Sequence, residues 1–190
     1  MTKYNSVKKE VENILPNSPL DFELIHARLV LKWVCKLKTD VDDVLKIAAI
    51  AHDIDRAVTG ITEKDLKDFS QLDTFKKEHG IRSAKIICDI MRKYNYSSEE
   101  IERVRHLVEN HEFGGDVETD ILTDADSLAF FDYNIPSYLK RNGEDRTKEK
   151  IKFMYSRLSN EAKVLVRKVS YSNEGILSLV NSVVESLSHG

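Results

Sequence analysis

The chain is short of the residues that break and turn a backbone. Its 190 residues include 7 Gly and 3 Pro, about 5% together against a usual figure of roughly 12%. That scarcity argues against an all-β sandwich or barrel, which needs many tight turns. Cysteine is scarce too: Cys35 and Cys88 have no metal-ligand spacing and fit a reducing cytosol, where thiols act as small buried hydrophobes. No apolar run approaches the length of a membrane span, and the longest lie around Ile47 to Ala51. The N-terminus MTKYNSVKKEVENIL alternates charged and apolar residues and lacks the apolar core of a signal peptide. The expectation is a soluble cytoplasmic protein with no membrane partner. A net charge of -3, from 29 basic and 32 acidic residues, lacks the basic excess of a nucleic-acid binder, yet it allows a local patch for a small anion. There is no Gly-rich phosphate loop, no Ser nucleophile elbow and no CxxC pair, which removes P-loop ATPases, serine hydrolases and zinc ribbons.

What is present is helical. A hydrophobic content of 41% is enough for a core, and the length suits one domain over 1–190. Periodicity predicts a first helix from Lys3 to Leu15 and a second capped by Ser18-Pro19 and ending near Leu37. Thr39 or Asp40 is expected to cap a third, almost uniformly apolar helix through Val44 to Ile54, fading before Thr59-Gly60. Further helices are expected at Thr62 to Phe69, from Ser70 to Tyr94, from the Ser97/Glu100 capping box to Glu112, and across Ile121 to Phe131. Two more follow Thr147, split near Asn173 to Gly175. Gly80 is the glycine that falls inside a periodic helix. Its cost there is about 1 kcal/mol relative to Ala, so either that helix starts later or another helix or a ligand comes close.

The chemistry-bearing residues lie on separate helices. His52-Asp53 closes the apolar run, and both groups are costly to bury without partners. A metal ion would supply one, because imidazole and carboxylate together suit several transition metals. His26 sits upstream on an amphipathic helix, and Thr123-Asp124-Ala125-Asp126-Ser127-Leu128 puts carboxylates on a third. Residues two apart point about 200° apart, so only one of Asp124 and Asp126 can face a site; both faces are apolar, and geometry leaves the choice open.

The order His26, His52-Asp53, Asp126 resembles the H…HD…D signature of the HD superfamily of metal-dependent phosphohydrolases. The flanking His52-Asp53-Ile54-Asp55-Arg56 and Asp124-Ala125-Asp126 segments match as well. The likeness covers 21–139, leaving 1–16 and 147–189 as flanking helices. It implies a single all-α domain whose helices converge on a divalent metal (Mn, Co, Ni, Zn, Fe or Mg) held by His26, His52, Asp53 and Asp126. It also selects Asp126 over Asp124. Adding His79 and His111 gives an order similar to the members with two metals, among them phosphodiesterases and some di-iron oxygenases. One ion is expected, and two if those histidines join or contact substrate.

The implied activity is hydrolysis of a small phosphorylated substrate such as a nucleotide. Asp53 would ligate the metal and orient water. Arg56, three residues on, and Arg82, three after His79 on a stripe with Lys85, would bind phosphate. Asp55 is a partner for Arg56, and Glu112 a candidate proton-transfer group. The alternatives are an HD-type di-iron oxygenase and a non-catalytic module that binds metal or nucleotide. Trp33 and Phe130-Phe131 read as core, with Phe130, Tyr133 and Tyr138 as candidate pocket wall. His106 and His189 read as bystanders, and Glu144 to Lys152 as a solvated face. The stripe Ile176, Leu179, Val180, Val183, Val184, Leu187 is buried either over the site or in a homodimer contact.

Overall fold

The computed structural model describes residues 1–66 and 68–188, without the side chains of Phe69 and Ser188. His189 therefore lies outside the described residues. The fold is all-α, 78% helical, with no strand among the described residues. In chain order the helices are α1 (Lys3–Ile14), α2 (Glu23–Leu37), α3 (Asp43–Ala51), α4 (Ile54–Thr59), α5 (Leu72–Lys93), α6 (Ser98–Asn110), α7 (Val117–Ala129), α8 (Ile135–Asn142), α9 (Glu144–Ser156), α10 (Asn160–Val166) and α11 (Glu174–Ser188). Among the described residues no helix is long and apolar enough to cross a membrane.

α3 is the axis of the core. Val44, Leu45, Ile47, Ala48, Ala49, Ile50 and Ala51 are all buried, so the run from Ile47 to Ala51 reflects contact on nearly every side of the helix, with the partly exposed Lys46 as the exception. Helices α1, α2, α6 and α7 pack around it, α5 lies along α6, and α2 along α7. Trp33, Phe130 and Phe131 join this core.

Several helix ends differ from their sequence expectation. α2 starts at Glu23 rather than after Ser18, whose hydroxyl accepts from the Leu20 amide across a turn. Asp42, not Thr39 or Asp40, caps α3, accepting from the Leu45 amide at 2.9 Å. Asp40 adopts a left-handed turn conformation, φ 58°. The helix through Ile54 is broken at His52 and Asp53, and a separate short α4 follows. Where a helix from Thr62 to Phe69 was expected, the described residues form a 3-10 turn at Glu63–Asp65, and a second 3-10 turn begins at Phe69. α7 runs into a π-helical turn, Phe130–Asn134, before α8. Three helices rather than two follow Thr147, because Ser159 caps an extra one. Cys88 is buried as expected; Cys35 is exposed.

The capping box at Ser97 and Glu100 is formed as read. The C-terminal stripe from Ile176 to Val184 is buried and packs chiefly on α9, while Leu187 is exposed. Gly80 does lie in the helix interior. A Cβ there would meet the Glu109 carbonyl oxygen at 2.8 Å and that of Val108 at 3.2 Å. The glycine lets α5 and α6 touch backbone to backbone.

Candidate metal centre

The break after Ala51 creates the site. His52 still has helical dihedrals, but Asp53 leaves the helix at φ -107°, ψ 14°. Two sequence neighbours, which would point about 100° apart on an unbroken helix, instead share one buried space. α2 brings His26 to it, α5 brings His79, and the end of α6 brings His111. All four rings are 5% exposed or less, and successive centroids, His26–His52, His52–His111 and His111–His79, lie 5.2–5.4 Å apart.

Three of the four imidazoles have Nδ1 hydrogen-bonded to an acceptor outside the cluster. His26 Nδ1 donates to the Asn134 side-chain oxygen at 3.0 Å, His52 Nδ1 to the Ala49 carbonyl at 3.0 Å, and His111 Nδ1 to the Val108 carbonyl at 2.7 Å. His79 Nδ1 lies 2.5 Å from Asp55 Oδ1. That leaves four Nε2 atoms facing inward, towards the two carboxylates. His26 Nε2 is 3.1 Å from Asp126 Oδ1, and His52 Nε2 is 3.8 Å from the same oxygen. His79 Nε2 and His111 Nε2 lie 2.7 Å and 3.5 Å from Asp53 Oδ1. Asp53 Oδ2 turns the other way, towards His52 Nε2 at 3.4 Å and Arg56 Nη1.

Among the described residues, two groups could hold a metal ion: His26, His52 and Asp53, and Asp53, His79 and His111. In each, one donor atom per residue lies within 4.8 Å of the others. Asp53 belongs to both. The donor set suits the role. His52 Nε2 is buried with no hydrogen-bond partner, which costs about 1–3 kcal/mol in a protein interior. Nδ1 held by an outer acceptor is the usual way a ligating imidazole is fixed in its tautomer and orientation.

The electrostatics tell the same story. Burial works against an imidazolium at His52, but Asp53 and then Asp126 outweigh it and lift its pKa to about 9. At His79, burial and Arg56 oppose the charge, and Asp53 and Asp55 overcome them, again reaching about 9. Asp53 and Asp126 stay well below the usual carboxylate range although burial pushes them up. Arg56 and His52 hold down the first, His26 and Arg157 the second. Two buried anions thus demand cationic company, and protons on histidine supply it when nothing else does.

Asp124 has a different task. It accepts from the Ser159 amide at 2.8 Å and the Ser159 hydroxyl at 2.6 Å. Asp126 alone of the pair faces the histidines. Arg56 forms an ion pair with Asp53 and reaches Glu23 at 3.5 Å. Asp55 does not serve Arg56; it holds His79 and accepts from Arg82 Nε at 2.8 Å. Arg82, expected to bind substrate, is thereby engaged behind His79 and is absent from the cavity over the cluster. Lys85 is exposed. His106, read as a bystander, is paired at the surface with Asp116, the cap of α7.

Four functional candidates were not singled out in the sequence. Asn134 orients His26. Arg157 Nη1 lies 3.3 Å from both Asp126 Oδ2 and Glu112 Oε2, and its Nη2 donates to the His111 carbonyl. Lys76 is buried and pairs with Glu112 at 3.2 Å. Glu112, expected near the helix end, is held down to about 2 by Arg157, His111 and Lys76 against the pull of burial. Glu23, one turn before His26, is buried behind Arg56 with Oε2 unpartnered, and burial raises its pKa.

A cavity of about 400 Å³ opens over the cluster. His26, Asp53, Asp126, Arg56 and Arg157 contribute to it, as do Phe130 and Tyr138. Tyr133 does not: it lines a separate hollow beside Asp132. Replacing Asn134 with Ala should leave the fold intact but weaken metal affinity roughly 10–100-fold, as read by competition with a chelating dye. Unchanged affinity would show that Asn134 does not set the His26 ring.

A family model described as a domain of unknown function, DUF4202, matches residues 5–180. No curated protein and no solved structure matches this chain.

Proposed function

The chain belongs to the DUF4202 family, and from that premise and the site's geometry we propose that it is a metal-dependent phosphohydrolase of the HD type. The observation that carries this is the convergence of four Nε2 atoms on Asp53 and Asp126 at the floor of a cation-bearing cavity. His26, His52, Asp53 and Asp126 would hold one divalent metal, with Asp53, His79 and His111 providing for a second. Such an ion would supply an activated water near neutral pH and polarise a phosphoryl oxygen.

The remaining work falls to the chain's own groups. Arg56 stands beside Asp53 and Arg157 beside Asp126. Both line the cavity, where they would grip the phosphoryl oxygens and offset charge developing on them. Glu23 behind Arg56 and Glu112 behind Arg157 keep each guanidinium in place. Phe130 and Tyr138 meet edge to face, with centroids 6.0 Å apart, and present an apolar wall to the organic part of the substrate. The cavity lining as a whole carries six basic residues against four acidic ones, a balance that favours an anionic substrate and supports hydrolysis of a phosphate ester over oxygenation of a neutral one.

The test is a panel of phosphomonoesters and phosphodiesters assayed with Mn, Co, Ni, Zn, Fe and Mg. Turnover should appear with at least one metal and vanish with a chelator. His52→Ala should lower it by about 10³-fold, since metal assistance is worth several kcal/mol. Full activity in a folded His52→Ala protein would sink the proposal. So would oxygen consumption by the iron form with no phosphoester turned over.

A further inference from the structure

The mouth of the cavity carries a charge pattern that the metal centre does not use. Lys64, Arg141 and Arg146 are exposed and Lys150 is half-buried, and all four line the cavity whose floor is His26, Asp53 and Asp126. They come from the Glu63–Asp65 turn and, far along the chain from it, from the consecutive helices α8 and α9. In a chain of net charge -3, four cations gathered at one opening run against the overall balance.

The floor cations are already matched, Arg56 by Asp53 and Glu23, Arg157 by Asp126 and Glu112. Among the described residues, no ion pair involves Lys64, Arg141 or Lys150. Glu63 is the acidic residue that shares the mouth with them. The Arg141 guanidinium lies over the Phe22 ring, 5.0 Å from its centroid, and Phe22 also lines the cavity. That contact holds the cation at the opening. The volume of about 400 Å³ suits a small molecule; it does not suit a polymer, for which the chain lacks an extended basic surface.

We propose that the mouth is a second anion subsite, so that the substrate is a small organic molecule carrying two separate phosphate groups. One phosphate occupies the floor, and the other is gripped by Lys64, Arg141 and Lys150. This rests on the phosphoryl-binding reading of the floor and adds the substrate's class: a bisphosphate with a short, partly apolar spacer lying along Phe22, Phe130 and Tyr138.

The test separates binding from turnover. Propane-1,3- to hexane-1,6-bisphosphonate, which cannot be hydrolysed, are compared with propylphosphonate by calorimetry on the metal-loaded protein. At least one bisphosphonate should bind about tenfold or more tightly than the monophosphonate, a difference of about 1.4 kcal/mol. The combined variant Lys64→Ala, Arg141→Ala, Lys150→Ala should lose that advantage while keeping propylphosphonate affinity within about twofold. The inference is overturned if no spacer gives an advantage, including the case in which neither ligand binds, or if the variant retains the advantage. Tight bisphosphonate binding that the variant loses, together with no turnover of any phosphoester, would uphold the subsite and overturn only the hydrolytic reading.

Discussion

Replacing Asp53 with Asn should empty both metal positions at once and lower phosphoester turnover by more than about 10³-fold. The reason is the division of labour between its two oxygens. Oδ1 faces His79 and His111, and Oδ2 faces His52 and Arg56. An amide keeps the shape but removes the charge and puts an NH2 donor where one of those oxygens accepts or ligates. Loss of a histidine from one group should have a smaller effect on stoichiometry. His79→Ala or His111→Ala should retain the ion of His26 and His52, and His26→Ala should retain that of His79 and His111. Elemental analysis of purified variants checks this, with circular dichroism confirming the helical fold. Two equivalents of metal in folded Asp53→Asn protein would show that the carboxylate does not join the two groups.

The second large effect is expected at Gly80, which ligates nothing itself but adjoins His79. Gly80→Ala replaces a poor helix former with the best one, which on propensity alone should stabilise α5 by about 1 kcal/mol. The added methyl, however, would sit 2.8 Å from the Glu109 carbonyl oxygen and 3.2 Å from that of Val108. These are backbone atoms, so α6 itself must move, and forced overpacking of this kind typically costs about 1–3 kcal/mol. The net expectation is a less stable protein, with a melting temperature lower by roughly 2–4 °C for each kcal/mol lost. The metal centre should register the change as well, because the Val108 carbonyl that must retreat is the one that accepts from His111 Nδ1. If the parent binds two ions, the expected reading is a fall from about two equivalents to about one; if it binds one, a weakened affinity. A Gly80→Ala protein more stable than the parent and fully loaded would show that the two helices can separate freely.

The sequence was most legible where burial leaves a periodic mark. The apolar run of α3 and the capping box of α6 could be read directly, as could the order His26, His52-Asp53, Asp126. The choice between Asp124 and Asp126 could not, because both lie on apolar faces; it took Ser159, from a segment outside the resemblance, to show what Asp124 holds. Asn134 was hidden by the π-helical turn. Eight residues after Asp126, it would lie about 80° away from it on a regular helix, and the wider turn helps bring it round to His26. Arg157 lay in the flanking helices outside the resemblance, with no motif to mark it, and only its tertiary partners distinguish it from its neighbours. The stripe through His79 was read towards Arg82 and Lys85, whereas the cation it buries is Lys76, one turn in the opposite direction.

The two acids of α7 point to opposite sides of that helix, and both ends are tied down. Asp126 is pinned among His26, His52 and Arg157, and Asp124 is pinned by the cap of α10. α7 therefore behaves like a shaft clamped on both flanks: it cannot roll to slacken the ligand without tearing the Ser159 bonds. The start of α10 thus acts as a brake on rotation at the centre of the molecule, and replacing Ser159, which does not line the cavity, would detune the candidate metal site.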